Sequence, residues 1–211
     1  MGEFMRVHDP LNKILNNEVK VKILRFLCRT EAEWSGRQIA QEIKVSPAAA
    51  HKALRELNNE RALLLRSVGR SYLYRLNSEN FIILELLKPL YEKENKIPEQ
   101  VYAEIVRNIS SLVINDIISM AVFGSMKRKK EKSTSDIDLL VLIKNEEGRE
   151  KVEEDFGRVN EKIVSRYGNT VAAYIQTLEE FRSKYKKGLA LIKNILKFHS
   201  LIFGKPLETL L

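Results

Sequence analysis

The residues best placed to do chemistry are Phe123-Gly124-Ser125 and, ten residues further on, Asp136-Ile137-Asp138-Leu139-Leu140-Val141. Side chains alternate along a strand, so Asp136 and Asp138 project to one face while Ile137, Leu139 and Val141 pack on the other. Two carboxylates held together on a rigid strand are unfavourable alone and suit a hard cation that prefers oxygen ligands, Mg2+ or Mn2+. Gly124 allows a sharp turn with room for close backbone approach. Ser125 then begins a short helix whose free N–H groups and dipole favour a phosphate. A phosphate cradle and a metal strand joined by one short helix are the parts that hold a Mg2+–nucleoside triphosphate.

The elements that must position these residues alternate from residue 98 onward. Apolar runs at 117–123, 136–143 and 170–176 predict strands, and helical patterns fill 147–166, 178–187 and 189–203. Gly168 stops one helix and Gly188 separates two others. The expectation is a small mixed sheet flanked by helices over residues 98–211.

The Gly-Ser, ten-residue spacer, Asp-X-Asp pattern resembles the minimal nucleotidyltransferases of the DNA polymerase β-type superfamily, over roughly residues 98–178. The resemblance implies that Gly124 and Ser125 take the triphosphate and that Ser135 orients the first aspartate. It implies that Asp136 and Asp138 hold two metal ions, which position the α-phosphate for attack by a substrate hydroxyl. Active members of that superfamily supply a third carboxylate from the next strand. Here that strand, Thr170-Val171-Ala172-Ala173-Tyr174-Ile175-Gln176, contains no acid, and Glu179 and Glu180 fall in the first turn of the following helix. Losing that ligand weakens catalysis far more than nucleotide binding.

The first part of the chain has a different organisation. Residues 11–28 show helical periodicity. Ser35, with Gln38 three residues on, caps a helix over 36–43. Ser46-Pro47 opens another to about Asn58. Runs at 63–68 and 71–76, separated by Gly69 and Arg70, predict a β-hairpin. This order, with Gln38-Ile39-Ala40-Gln41-Glu42-Ile43 and Leu54-Arg55-Glu56-Leu57, resembles a winged helix-turn-helix over about residues 11–77. The resemblance makes Pro47–Asn58 the recognition helix in a DNA major groove. Ser46, His51, Lys52 and Arg55 are then candidate DNA contacts, joined by Arg66 and the wing-tip Arg70. Two alanines, Ala48 and Ala49, on the reading face leave few base contacts per copy, so specificity calls for two half-sites and a homodimer.

Composition bounds these readings. The chain is 44% hydrophobic and 30% charged, which excludes a disordered or collagen-like polymer. No apolar run reaches the roughly 18–20 residues that cross a bilayer, so no membrane is expected. One cysteine, Cys28, excludes an intramolecular disulfide. No signal peptide is visible, which favours the cytoplasm. Of the net charge of +8, residues 1–80 hold 14 Lys and Arg against 9 Asp and Glu, a surplus that suits a polyanionic partner. Lys127-Arg128-Lys129-Lys130 with Lys132 forms either a phosphate- or partner-attracting patch or a solvated helix face.

The expected chain is a two-domain protein of the α+β and α/β classes: a winged helix over 5–77, a connector over 78–97 and a nucleotidyltransferase-like domain over 98–211. The leading functional reading is a DNA-binding transcriptional regulator whose second domain binds nucleotide–Mg2+ or a protein partner. The alternative is an active transferase moving NMP onto a protein or RNA hydroxyl. By resemblance this would be an antitoxin of a toxin–antitoxin pair acting on a co-encoded HEPN-type partner.

Overall fold

Asn17 divides the first helical stretch. In a computed structural model, which describes residues 8–69, 71–124 and 136–211, its side chain accepts a 2.7 Å hydrogen bond from the Val19 N–H and caps a new helix. Residues 11–28 are therefore two helices, α1 (Leu11–Ile14) and α2 (Glu18–Thr30), rather than one. Ser35 and Gln38 close a capping box at α3 (Gly36–Glu42), and Ser46 caps α4 (Pro47–Asn59) with Pro47 in its first turn. Each cap satisfies backbone donors that a helix start leaves without partners, at about 1 kcal/mol apiece.

A short strand, β1 (Trp34–Ser35), joins the hairpin of β2 (Leu63–Val68) and β3 (Ser71–Leu76) in an antiparallel sheet of order β1-β3-β2. Ile23, Leu24, Leu27, Ile39, Leu54, Leu57 and Leu63 form the core between helices and hairpin. Helix, helix, turn, helix and wing is the winged helix-turn-helix arrangement.

Residues 82–95 are built into that same core through Ile82, Ile83, Leu87 and Tyr91. The helix runs on through Pro89. A wide π-helical turn (Ile82–Leu87), in which the Lys88 N–H reaches the Ile83 carbonyl, leads into α5 (Lys88–Asn95). Pro89 follows that wide turn directly, and its ring and missing N–H are incompatible with a regular α-helical bond to the turn before it.

The chain divides into two compact units, 1–97 and 98–211. The second contains α6 (Ile97–Asn108), β4 (Ile117–Val122), β5 (Ile137–Ile143), α7 (Arg149–Tyr167), β6 (Val171–Thr177), α8 (Leu178–Lys186), α9 (Ala190–Lys197) and β7 (Ser200–Gly204). Its four-stranded mixed sheet has the order β6-β5-β4-β7, with β5 and β6 parallel and the other pairs antiparallel. One face packs Ile137, Leu139, Val141 and Ile143 against Val101, Ile105, Phe156 and Val159 of α6 and α7. The other packs Leu140 and Leu142 against Phe181, Ile192 and Ile195 of α8 and α9.

The helix expected to reach Phe203 ends at Lys197. Leu201, Ile202 and Phe203 instead form the edge strand β7 beside β4. A short apolar run satisfies either period, and pairing with β4 decides it. Gly204 ends this strand where no side chain fits: an added Cβ would lie 2.8 Å from the Ile118 carbonyl carbon.

Candidate functional site

In the second unit the site is made by the antiparallel pairing of β4 and β5. Val122 stands opposite Leu139, and just beyond them the Phe123 N–H donates to the Asp138 carbonyl at 2.9 Å. Gly124, with φ +77°, is thereby turned against the side chain of Asp138. A Cβ added at Gly124 would overlap the Asp138 Oδ2 and sit 2.8 Å from its Cγ. Glycine is required here twice over, by the left-handed backbone and by the carboxylate against it.

Asp136 lies one residue before β5 and is exposed. Its Oδ1 accepts a short hydrogen bond from the Thr170 hydroxyl, and the next residue, Ile137, donates its N–H to the Thr170 carbonyl at 2.8 Å. Thr170, just ahead of β6, thus ties the first aspartate to the neighbouring strand by side chain and backbone together. The strand period puts Asp136 and Asp138 on the same face, opposite the buried Ile137, Leu139 and Val141.

The parallel register identifies what stands next to them. Asp138 is paired with Ala172, Leu140 with Tyr174 and Leu142 with Gln176. In-register residues share a face, so Ala172, which is exposed, lies on the acid face beside Asp138.

Glu179 and Glu180 do not fill that place. They follow Thr177, the end of β6, which is roughly 16 Å along the strand from Ala172 at the usual rise per residue. Glu180 is also engaged there. Its Oε2 accepts from the Thr177 N–H at 2.8 Å, completing a capping box, and from the Arg149 guanidinium at 2.6 Å. Partial burial works to raise the Glu180 pKa, but the Thr177 N–H and Arg149 outweigh it and hold the carboxyl below its usual range.

Among the described residues no group of three or more His, Cys, Asp and Glu side chains is placed to bind a metal ion. Among the described residues, Asp136 and Asp138 are the carboxylates of this face that could hold a divalent cation. This donor set fits Mg2+, which is commonly held by one or two carboxylates with substrate phosphates and water completing its shell. Gly124 leaves the close approach open. Ser125, Ser135 and the Lys127–Lys132 run lie outside the described residues.

In the first unit α4 presents the candidate DNA face. Ala50, Ala53, Leu54 and Leu57 are buried, while His51, Lys52 and Arg55 are exposed. Ser46 Oγ accepts from the Ala49 N–H at 3.2 Å, which leaves its own proton to donate outward. Arg66 is exposed on β2 but engaged by Glu33, which also approaches Arg75 at 3.7 Å. Arg70 lies outside the described residues.

One further residue was missed in the sequence. Lys20 of α2 is 3% exposed, and its ammonium donates to the Lys13 carbonyl at 2.8 Å and pairs with Glu56 of α4 at 2.8 Å. Lys20 precedes Ile23 and Leu24 by one helical turn, which places it on the core-facing stripe, and a lysine on that stripe was the available signal. Its hydrogen bond to Glu56 holds that carboxyl below its usual range, against a small opposing effect of burial. Lys20 ties the end of α1 to the middle of α4. A cleft of about 310 Å3 opens beside it between Asn16, Asn17, Lys52 and Glu56.

Residues 102–202 match the family model of a nucleotidyltransferase domain. Over its N-terminal half the chain is similar to HlyU from Vibrio cholerae N16961, at 22% identity and a TM-score of 0.34 over 41% of this chain and 83% of that one. It is similar to Mb0332 from Mycobacterium bovis, a homodimeric winged helix-turn-helix DNA-binding domain, at 20% identity and TM-score 0.35 over 47% and 94%. A toxin–antitoxin structure with AMP-PNP shares 13% identity at TM-score 0.33 over 53% and 73%. No curated protein matches. The family match falls within the second unit, the helix and strand order of the first is that of a winged helix-turn-helix, and among the described residues no helix is long and apolar enough to cross a membrane.

Proposed function

We propose that this protein is a DNA-binding transcriptional regulator whose nucleotidyltransferase domain binds a nucleoside triphosphate with Mg2+. The carrying observation is α4. One side of this helix is wholly buried and fixes its orientation, while His51, Lys52 and Arg55 stand exposed on the other with Ser46 at its start. Lysine and arginine there reach phosphates or guanine edges, and a serine hydroxyl at a helix start donates to a phosphate. The surplus of basic residues in 1–80 adds a sequence-independent attraction. Few base contacts per copy favour a homodimer on two half-sites.

In the second domain Asp136 and Asp138 would hold the cation. When bound, the cation neutralises phosphate charge and orients the triphosphate. Gly124 keeps the backbone close enough for the phosphates to approach Asp138, Thr170 orients Asp136, and Ser125 and Ser135 take phosphate contacts by their positions in the motif.

The test is retardation of the protein's own upstream DNA by the full chain in native gels. Wild type is expected to shift it. Lys52→Ala/Arg55→Ala is expected to weaken binding and flatten its salt dependence by about two phosphate contacts. Failure of wild type to bind any duplex even at low salt would sink the regulator reading.

The kept Gly124–Asp138 geometry favours a second reading, an active NMP transferase onto a protein or RNA hydroxyl, with an antitoxin role toward a co-encoded partner. Label transfer from an α-labelled triphosphate, abolished in Asp136→Ala/Asp138→Ala, would establish it.

A further inference from the structure

We infer that the nucleotide site is a one-cation site, in which Ala172 leaves a second divalent ion without an anchor and the bound triphosphate is held whole. The inference rests on the nucleotide-binding reading above and deepens it.

Charge comes first. Asp136 and Asp138 supply two carboxylates for the cation that enters with the triphosphate. A second cation about 3.5–4 Å from the first, the separation that two-metal phosphoryl chemistry uses, would be screened by the triphosphate on one side but needs a protein anion on the acceptor side, away from the phosphates. Mg2+ also gives up its water reluctantly, so a further site needs a protein oxygen already in place.

The sheet specifies where that oxygen would come from. Of the two neighbours of β5, β4 turns away at Gly124, where there is no side chain and no room for one. The other neighbour, β6, runs parallel to β5 with Ala172 beside Asp138 on the same face. Adjacent strands lie about 4.8 Å apart, so a carboxylate at 172 would share a cation with Asp138. Ala172 is exposed, so a longer side chain there has solvent to enter. The methyl group offers no donor.

The nearest acids along the chain, Glu179 and Glu180, lie beyond the end of β6, and Glu180 is engaged by Thr177 and Arg149. Thr170, which faces the pair from the start of β6, is committed to Asp136. The site thus brings in one cation with the triphosphate, and among the described residues it has no ligand to place a second one at the acceptor side. Occupancy then follows nucleotide concentration reversibly, as a sensor requires, instead of ending in transfer.

The test is the stoichiometry of Mn2+ binding, read from the signal of free Mn2+ in electron paramagnetic resonance. The protein is titrated with each of ATP, CTP, GTP and UTP at saturation. Wild type is expected to bind one Mn2+ per bound nucleotide. Ala172→Asp, verified by circular dichroism to melt as wild type does, is expected to take up a second. Two Mn2+ per nucleotide in wild type would overturn the inference whether or not the variant folds. A well-folded Ala172→Asp that stays at one would overturn it as well. No nucleotide-dependent Mn2+ binding by wild type, with any of the four, would overturn the nucleotide-binding reading and this inference with it.

Discussion

Gly124 and Asp138 are in mutual contact across the β4–β5 pair: the carboxylate occupies the space that any side chain at 124 would need, with Cγ 2.8 Å and Cβ 3.2 Å from the position of an added Cβ. The Phe123 N–H to Asp138 carbonyl bond, 2.9 Å, locks that juxtaposition through the backbone. Two half-motifs separated by a ten-residue spacer are therefore one physical object, and a change in either half moves the other.

Gly124→Ala tests this coupling. The φ of +77° costs an alanine about 1–2 kcal/mol, and relief of the overlap requires the Asp138 carboxylate to rotate away. Affinity for Mn2+–ATP, or for whichever triphosphate the wild type prefers, should fall at least tenfold while the melting temperature drops by only a few degrees. An alanine variant that binds as wild type does would show that Asp138 does not need its observed orientation.

Thr170 makes a separate prediction. Groups that orient a metal ligand are typically worth 10–100-fold in metal affinity. Thr170→Val keeps the strand shape but removes the hydroxyl that donates to Asp136. We expect about tenfold weaker Mn2+ retention in the nucleotide complex, restored by Thr170→Ser. Equal loss in the serine and valine variants would assign the effect to packing instead.

Lys20 concerns the first unit. Lys20→Ala removes a buried ammonium and its packed stem, and should destabilise the unit by about 1–3 kcal/mol, less than a fully buried pair because Glu56 is 40% exposed. Lys20→Met keeps the volume and should cost little stability, yet loosen the tie between α1 and α4 and so reduce DNA discrimination. The Glu56 carboxyl sits below its ordinary 4.5 in the folded protein. Its contribution is therefore present above that value and lost as the pH falls through the lower folded value. Acid titration of the melting temperature should show this loss in wild type and not in Lys20→Met.

Burial pushes the Cys28 thiol from 9.0 up to about 11 and the Tyr91 hydroxyl up to about 12. Because the folded values are raised, their contribution is complete below pH 9 and declines as the pH climbs toward 11 and 12. Native protein at pH 7.5 should alkylate with iodoacetamide far more slowly than protein in urea, and thermal stability should fall above pH 9. Rapid alkylation in the native state would place Cys28 at the surface.

What the sequence made legible was local. Ser35 with Gln38, and Ser46 with Pro47, announce their helices because capping acts over three residues, and the structure bears them out. The alternation around Asp136 and Asp138 is equally local, and its apolar partners do pack on the opposite face. What was not legible depends on pairing. Leu201-Ile202-Phe203 became a strand only because β4 was there to receive it. Thr170 and Asp136 are 34 residues apart, and nothing in either neighbourhood announces their bond. The absence of an acid in 170–176 was visible, but only the register shows that Ala172 is the residue beside Asp138.

The central claim is that this chain binds a triphosphate and keeps it. The most direct measurement incubates the protein with Mg2+ and each α-labelled triphosphate, in the presence of cell lysate as acceptor source. Filter-retained label is then compared with label that survives denaturation. The account predicts retention by wild type that is lost in Asp136→Ala/Asp138→Ala, with no label bound covalently to protein or RNA. Covalent label that survives denaturation and disappears in the double variant would contradict it and make this protein a transferase.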